Sequence, residues 1–476
     1  MNGGVDAVPE PLLNARLRRA DWRFLLANEG VGGVLPVNGT GNRALREARE
    51  RLQPGGVVLC RRRYPLPGGA QLLRRRLRRA GFHRVRLYWA GPRPGRLPQF
   101  WLSLDSAAAA RHLLATRPPA GRPQRALRLL WRVARGAGAL VPLYAVATVG
   151  ETGEAEDELA AVLPADPRWL LLTGGQRSVN KVVGLPFGGG GEEPRLVAKF
   201  SRVPESDAAL EREAVALEAV AELRPRLAGI PRLLARGRRS GRICVAESRI
   251  EGRPLIERLS PATLPEISSA VTAWLLELAG EPKPQLRETW WPRLVGEPLR
   301  AFEARYGGVL GAEPMLRLRH ELESLGDLPL VCEHRDCSPW NVVVSASGLA
   351  LLDWESAEPS GLPALDLVYF LAYAGFLVDG ALVDGRLTAT GARDSYLRLL
   401  DPATPTGAVA AACLREYRDG LGIDAEALRR LRLLCWVLHS HSEHRHMEME
   451  AAGPPPLVAR RESAFLSLIE VEGTHG

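Results

Sequence analysis

The feature that most constrains this chain is a break in its charge near residue 150. The first 150 residues carry 27 arginines, no lysine and seven acidic side chains, a balance of +20. The remaining 326 carry 36 basic and 47 acidic residues, a balance of −11. The change falls at Gly150-Glu-Thr-Gly-Glu-Ala-Glu-Asp-Glu158, where an Arg-rich apolar stretch turns acidic, and such shifts mark linkers. The expected division is a basic unit over 1–150, an acidic linker over 151–164, and a larger unit from 165 onward. With 476 residues, both units are long enough to bury a core, and the hydrophobic and charged fractions of 46% and 25% exclude disordered and coiled-coil classes.

Six scattered cysteines without a CxxC pair suggest neither a disulfide scaffold nor a zinc ribbon, which fits a reducing, cytoplasmic compartment. The fifteen-residue stretch Gly136 to Gly150 is too short to cross a bilayer, and the N-terminus lacks a basic-then-apolar leader pattern. The Arg74-Arg-Arg-Leu-Arg-Arg79 run reads first as the solvated face of a helix. Without interleaved aromatics it gives no reason to expect nucleic acid, while peripheral contact with anionic lipid stays open.

Within the first unit, strand patterns alternate with helix patterns, which implies a small α/β layer. Leu52-Gln-Pro-Gly-Gly56 precedes the strand Val57-Val-Leu-Cys60. Ala80-Gly-Phe-His-Arg-Val-Arg-Leu-Tyr-Trp89 leads into another strand, and Phe100-Trp-Leu-Ser-Leu104 forms a third. On these segments, residues 20–150 resemble a fragment of a class I S-adenosylmethionine-dependent methyltransferase, a Rossmann-like fold. The resemblance implies an acidic ribose-binding residue after a second strand, and Gly39-Thr-Gly41 leaves no room for one. A degenerate α/β remnant that binds no S-adenosylmethionine is expected.

From residue 165 the order is strands first and helices afterwards, the pattern of a two-lobed α+β unit. Its densest constellation is Val331-Cys-Glu-His-Arg-Asp-Cys-Ser-Pro-Trp-Asn-Val-Val-Val344, followed by Leu349-Ala-Leu-Leu-Asp353-Trp-Glu355. Asp336 and Asn341 share one loop, and the tight connection Ser345-Ala-Ser-Gly348 returns the chain so that Asp353 arrives close by. Phosphoryl transfer needs such a set: oxygen ligands for Mg²⁺ and a separate carboxylate to orient the accepting hydroxyl. Asn341 and Asp353 suit the metal, and Asp336 suits the base.

This HRDxxxxN pattern with a downstream Asp resembles the Brenner motif of the aminoglycoside phosphotransferase and choline kinase superfamily, distant relatives of protein kinases. The resemblance covers about residues 165–450 and implies a protein-kinase-like fold with an N-lobe over 165–253 and a helical C-lobe over 254–476. It implies ATP and Mg²⁺ as cofactors and a small-molecule hydroxyl as acceptor. Lys199, in VAKF, stands where the family's lysine meets the α- and β-phosphates. Glu213 is its expected helical partner, with Glu211 as rival. Ser248 and Ile250 stand in the lobe-connecting segment, where the Ser248 carbonyl and Ile250 amide would hold adenine. Gly174, Gly175 and Ser178, in TGGQRSVNK, are the expected phosphate-cradling positions.

Four histidines at 439, 441, 444 and 446 leave a metal site open beside a structural role, since 441 and 444 are at helical spacing. His334 reads as a structural support of the loop, and Asp366 as a brace. A catalytically inactive kinase-like scaffold is the competing reading. Neither the acceptor's identity nor the oligomeric state is written in the sequence.

Overall fold

A computed structural model describes residues 34–37, 41–62, 69–91, 100–116, 143–149, 158–164, 167–173, 181–188, 193–201, 206–239, 242–383, 386–451 and 463–475. The chain divides into two compact units. One holds the described residues up to Ala214 together with Arg232–Arg249; the other holds Val215–Pro231 and the chain from Ile250 onward.

The first unit is built on one ten-stranded sheet. Its elements are β1 (Val34–Val37), α1 (Asn42–Arg51), β2 (Val57–Arg62), α2 (Gly69–Arg79), β3 (Arg86–Gly91), β4 (Phe100–Ser103), α3 (Ala107–Thr116) and β5 (Leu143–Thr148). They are followed by α4 (Glu158–Val162), β6 (Arg168–Leu172), β7 (Lys181–Phe187), β8 (Leu196–Ser201), α5 (Asp207–Leu223), β9 (Leu233–Arg239) and β10 (Arg242–Ser248). The unit boundary falls within α5. Strand order is β1-β2-β5-β3-β4-β6-β7-β8-β10-β9.

Local sequence explains the helices. In α2, Ala70, Leu73 and Leu77 fall on one face and are buried, while Arg75, Arg78 and Arg79 face outward. Gly81, at φ +85°, then stops the helix in a left-handed turn. The start of α3 is capped by Ser106, whose hydroxyl accepts from the Ala109 amide at 3.1 Å.

Among the described residues only β1 and β2 pair in parallel, through the intervening α1. The remaining ladders of this sheet are antiparallel. Among the described residues, the Rossmann-like character expected for the first 150 residues is therefore confined to one strand–helix–strand turn. The sheet also crosses the expected linker. Strand β4 pairs with β6, setting Phe100, Trp101 and Leu102 opposite Leu172, Leu171 and Leu170.

One buried cluster runs beneath the sheet from β2 to β9. It takes in Leu59, Val146, Tyr88, Trp101, Trp169, Val182, Phe200, Cys244 and Ala235, together with Leu159 from α4 inside the acidic segment. Non-directional burial of this kind does not respect a compositional boundary.

The second unit is mainly helical. A buried helix, α10 (Leu365–Val378), packs with α6 (Leu264–Ala279), α11 (Ala389–Leu400), α12 (Pro405–Leu421) and α13 (Ala425–Ala451). Short strands frame one side: β14 (Val331–Glu333) pairs with β17 (Glu358–Gly361), and β15 (Val342–Ser345) pairs with β16 (Gly348–Leu351) as a hairpin. All six cysteines are buried, and no two of them form a disulfide. No helix among the described residues is long and apolar enough to cross a membrane.

Candidate active site

The loop between β14 and β15 is held from below by buried carboxylates. Asp366, in the first turn of α10, accepts the His334 amide at 2.6 Å and the Arg335 amide at 2.8 Å. Burial pushes its pKa up to about 6 against the lowering effect of those hydrogen bonds. Glu333 accepts the Leu362 amide at 3.0 Å and the Arg335 guanidinium at 3.1 Å, and burial raises its pKa to about 8. A Cβ at Gly361 would stand 1.8 Å from the Glu333 carboxylate, so only glycine lets β17 pass this close.

His334 is fully buried, and its partners fix its tautomer. Nδ1 accepts from the Asp336 amide at 3.3 Å, so Nε2 carries the proton and donates to the Leu352 carbonyl at 2.9 Å. Trp354 packs edge-on against the ring at 4.7 Å and donates its indole N–H to the Leu351 carbonyl at 2.9 Å. His334 thus ties the loop to the strand that delivers Asp353, the supporting role expected of it.

Asp336 and Asn341 meet directly. Two acceptors, the Asp336 carbonyl at 2.9 Å and its Oδ2 at 2.8 Å, face one Asn341 atom, which identifies that atom as Nδ2 and the other as the acceptor Oδ1. The Asp336 pKa is pushed up to about 7, first by burial and next by the Asp353 carboxylate; the Asn341 hydrogen bond opposes the rise. Arg335 and Asp353 both hold left-handed backbone, at φ 63° and 67°, without being glycine. Such conformations cost about 1–3 kcal/mol and mark a loop whose shape is imposed by its surroundings.

An aromatic file adjoins this loop. Trp340, 41% exposed, stands edge-on to Tyr373 at 5.4 Å; Tyr373 lies 4.7 Å from Tyr369, and Tyr369 stacks on His439 at 3.6 Å. Burial and the Arg335 charge drive the His439 pKa down to about 3, so the ring is neutral. His441 takes a guanidinium N–H of Arg305 on Nδ1 and faces the Pro298 carbonyl with Nε2, while His444 packs on Tyr306. Three histidines of the cluster thus have separate protein partners, and among the described residues no group of three or more His, Cys, Asp or Glu could hold a metal.

In the sheet unit, Lys199 of β8 is 3% exposed and meets Glu213 of α5 at 2.6 Å. The rival Glu211 is exposed and lies 3.6 Å from Arg238 instead. Two partners went unread in the sequence. Glu247 of β10 lies 2.8 Å from Lys199, and Lys181 of β7 lies 3.8 Å from Glu213. The signal for Glu247 was a carboxylate at the end of the apolar run Ile243-Cys-Val-Ala, two residues from Val245, which stands opposite Lys199.

Ser248 ends β10, and its amide donates to the Arg232 carbonyl at 2.8 Å. Ile250 follows two residues later, at the start of the second unit's chain. Gly174, Gly175 and Ser178 lie outside the described residues.

Comparison with solved structures finds matches at low identity and low structural similarity. A thermostable mutant of aminoglycoside phosphotransferase APH(4)-Ia is 13% identical with a TM-score of 0.40, covering 65% of this chain and 94% of that one. Aminoglycoside phosphotransferase APH(3'')-Id from Streptomyces rimosus is 17% identical with a TM-score of 0.36, covering 57% and 92%. The GDP and kanamycin complex of APH(2")-IIia is 15% identical with a TM-score of 0.38, covering 63% and 91%. No curated protein matches the chain. The model of the phosphotransferase enzyme family (APH) matches residues 186–401, a span that contains Lys199, Glu213, Asp336, Asn341 and Asp353.

Proposed function

We propose that the chain is an ATP- and Mg²⁺-dependent phosphotransferase that moves the terminal phosphate of the nucleotide to a hydroxyl of a small molecule. The observation that carries this reading is the Asp336–Asn341 pair on a braced loop, with the Asp353 carboxylate near enough to raise the proton affinity of Asp336. The family match over 186–401 supports it.

The donor set fits a hard divalent cation. Asp353, Glu355 and Asp366 each raise the proton affinity of Asp336, while Arg335 is drawn to Glu333. Asn341 Oδ1 and the Asp353 carboxylate would hold Mg²⁺, which when bound supplies neutralisation of phosphate charge. Asp336 orients the acceptor hydroxyl and receives its proton; Asn341 keeps the carboxylate aimed through Nδ2. Lys199, held by Glu213, binds the inner phosphates, and the Ser248 carbonyl and Ile250 amide hold the base. The aromatic file from Trp340 to His439 offers the acceptor apolar faces.

The test uses the full chain. Mg²⁺-dependent stabilisation by ATP, followed by ADP release over a panel of hydroxyl acceptors, is the expected result, with turnover lost in Asp353→Asn. ATP-dependent product formation that survives in purified Asp353→Asn rejects the mechanism, and a chain indifferent to MgATP is a binding protein instead.

A further inference from the structure

The outward face of α2 carries charge that neither the fold nor the phosphotransferase reading uses. Leu45 of α1 and Leu73 and Leu77 of α2 pack on Val58 and Leu87 of the sheet, so the opposite sides of both helices face solvent. Between residues 69 and 86 the chain holds seven arginines and no acidic residue. Asp105 pairs with Arg74. Arg75, Arg78 and Arg79 are exposed, and their side chains form no ion pair with any described residue. Arg49 lies across Gly81, where a Cβ would stand 3.5 Å from its Nε, so the last turn of α1 adjoins the end of α2. That turn adds the exposed Arg51, with Glu50 as its exposed acid.

Arg75 stands three residues before Arg78 and four before Arg79, the spacings at which like charges on a helix repel. The dipole at the helix C-terminus offsets the repulsion for Arg78 and Arg79, in the last turn, but not for Arg75. An anionic partner relieves the rest. Leu72 says of which kind. It is 38% exposed and lies three residues before Arg75 and seven before Arg79, on their side of the helix. An aliphatic side chain flanked by guanidinium groups suits the boundary between lipid phosphates and acyl chains, where arginines stay at the phosphates and leucine enters the hydrocarbon. A nucleic acid backbone gives that leucine no apolar partner, and the rings that would stack on bases, such as Phe82, Trp89 and Trp101, are buried.

We propose that this face of the sheet unit is a docking surface for a bilayer rich in anionic lipid, with Leu72, Arg75, Arg78 and Arg79 at its centre and Arg51 at its rim. The contact is peripheral: charge draws the protein to the surface, and one leucine supplies a small apolar anchor.

The experiment is co-sedimentation of the full chain with phosphatidylcholine vesicles, with and without about one-third phosphatidylglycerol. Anionic vesicles should bind about a hundredfold more tightly than neutral ones, a gain lost at about 0.5 M salt. Arg75→Gln, Arg78→Gln and Arg79→Gln combined should bring binding to within about tenfold of the neutral vesicles, since each basic contact contributes about fivefold. The same change at three exposed arginines of the helical unit, Arg226, Arg258 and Arg317, should cost less than about threefold. Leu72→Ala should weaken binding at least about threefold while keeping its salt dependence. Arg75→Gln alone, about fivefold weaker, carries the comparison if the triple variant does not fold. Equal binding to neutral and anionic vesicles overturns the proposal, as does unchanged binding in the folded triple variant. Displacement by inorganic phosphate at matched concentration, or tighter binding to duplex RNA than to anionic vesicles, assigns the face to a soluble anion or to nucleic acid and overturns it equally.

Discussion

Asp336 owes its proton affinity to the groups around it rather than to its place in a motif. Burial and the Asp353 carboxylate lift its pKa to about 7, and the Asn341 amide holds it in line. Asp336→Asn should therefore lower kcat by about 10²–10⁴ with little change in ATP affinity, read by steady-state kinetics beside nucleotide titration. Glu333 makes a separate prediction about stability. Its folded pKa, about 8, lies above the ordinary value of 4.5, so between these limits the folded chain binds more protons than the unfolded one. Its contribution is complete below about pH 4.5 and is lost as pH rises through 8. Glu333→Gln should flatten the fall in melting temperature between pH 5 and pH 8, measured by calorimetry across that range; an unchanged slope assigns the fall elsewhere. The trio at 336, 341 and 353 was legible in sequence because a loop and a hairpin place it within eighteen residues. Glu247 and Glu333 were not, because their partners arrive by cross-strand register and by the return of β17.

At the level of elements, the strands could be read from alternation and turn residues, but their neighbours could not. Strands β4 and β6 are separated by more than sixty residues, and each is buried on both faces, which erases the alternation that would give a pairing direction. Helix α4 was hidden differently: Leu159 is fully buried, yet it lies in a stretch whose composition marks a linker. The β4–β6 seam makes a stability prediction. Leu171 is buried beneath it, opposite Trp101, and Leu171→Ala should cost about 2–5 kcal/mol. Thermal unfolding of that variant, followed by near-ultraviolet circular dichroism and by proteolysis before residue 150, should show both regions failing at one temperature. Two separated transitions would count against a shared core.

Across the molecule, the charge break and the structural division do not coincide. The change from +20 to −11 falls near residue 150, inside the sheet unit, whereas the units part within α5 and again after β10. Charge sets solubility and long-range attraction; burial sets where a chain can be divided. A chain beginning at residue 151 would strip β4 from β6 and bare the backbone of Leu170, Leu171 and Leu172 along an apolar edge. Such edges recruit other chains, so size-exclusion chromatography with light scattering should find that fragment aggregated while the full chain elutes as a defined species. The ladder between β4 and β6 therefore works as a weld rather than a tether: the arginine-rich piece cannot be shuffled onto another host, or shed by this one, without leaving a raw wound that a new strand would have to close.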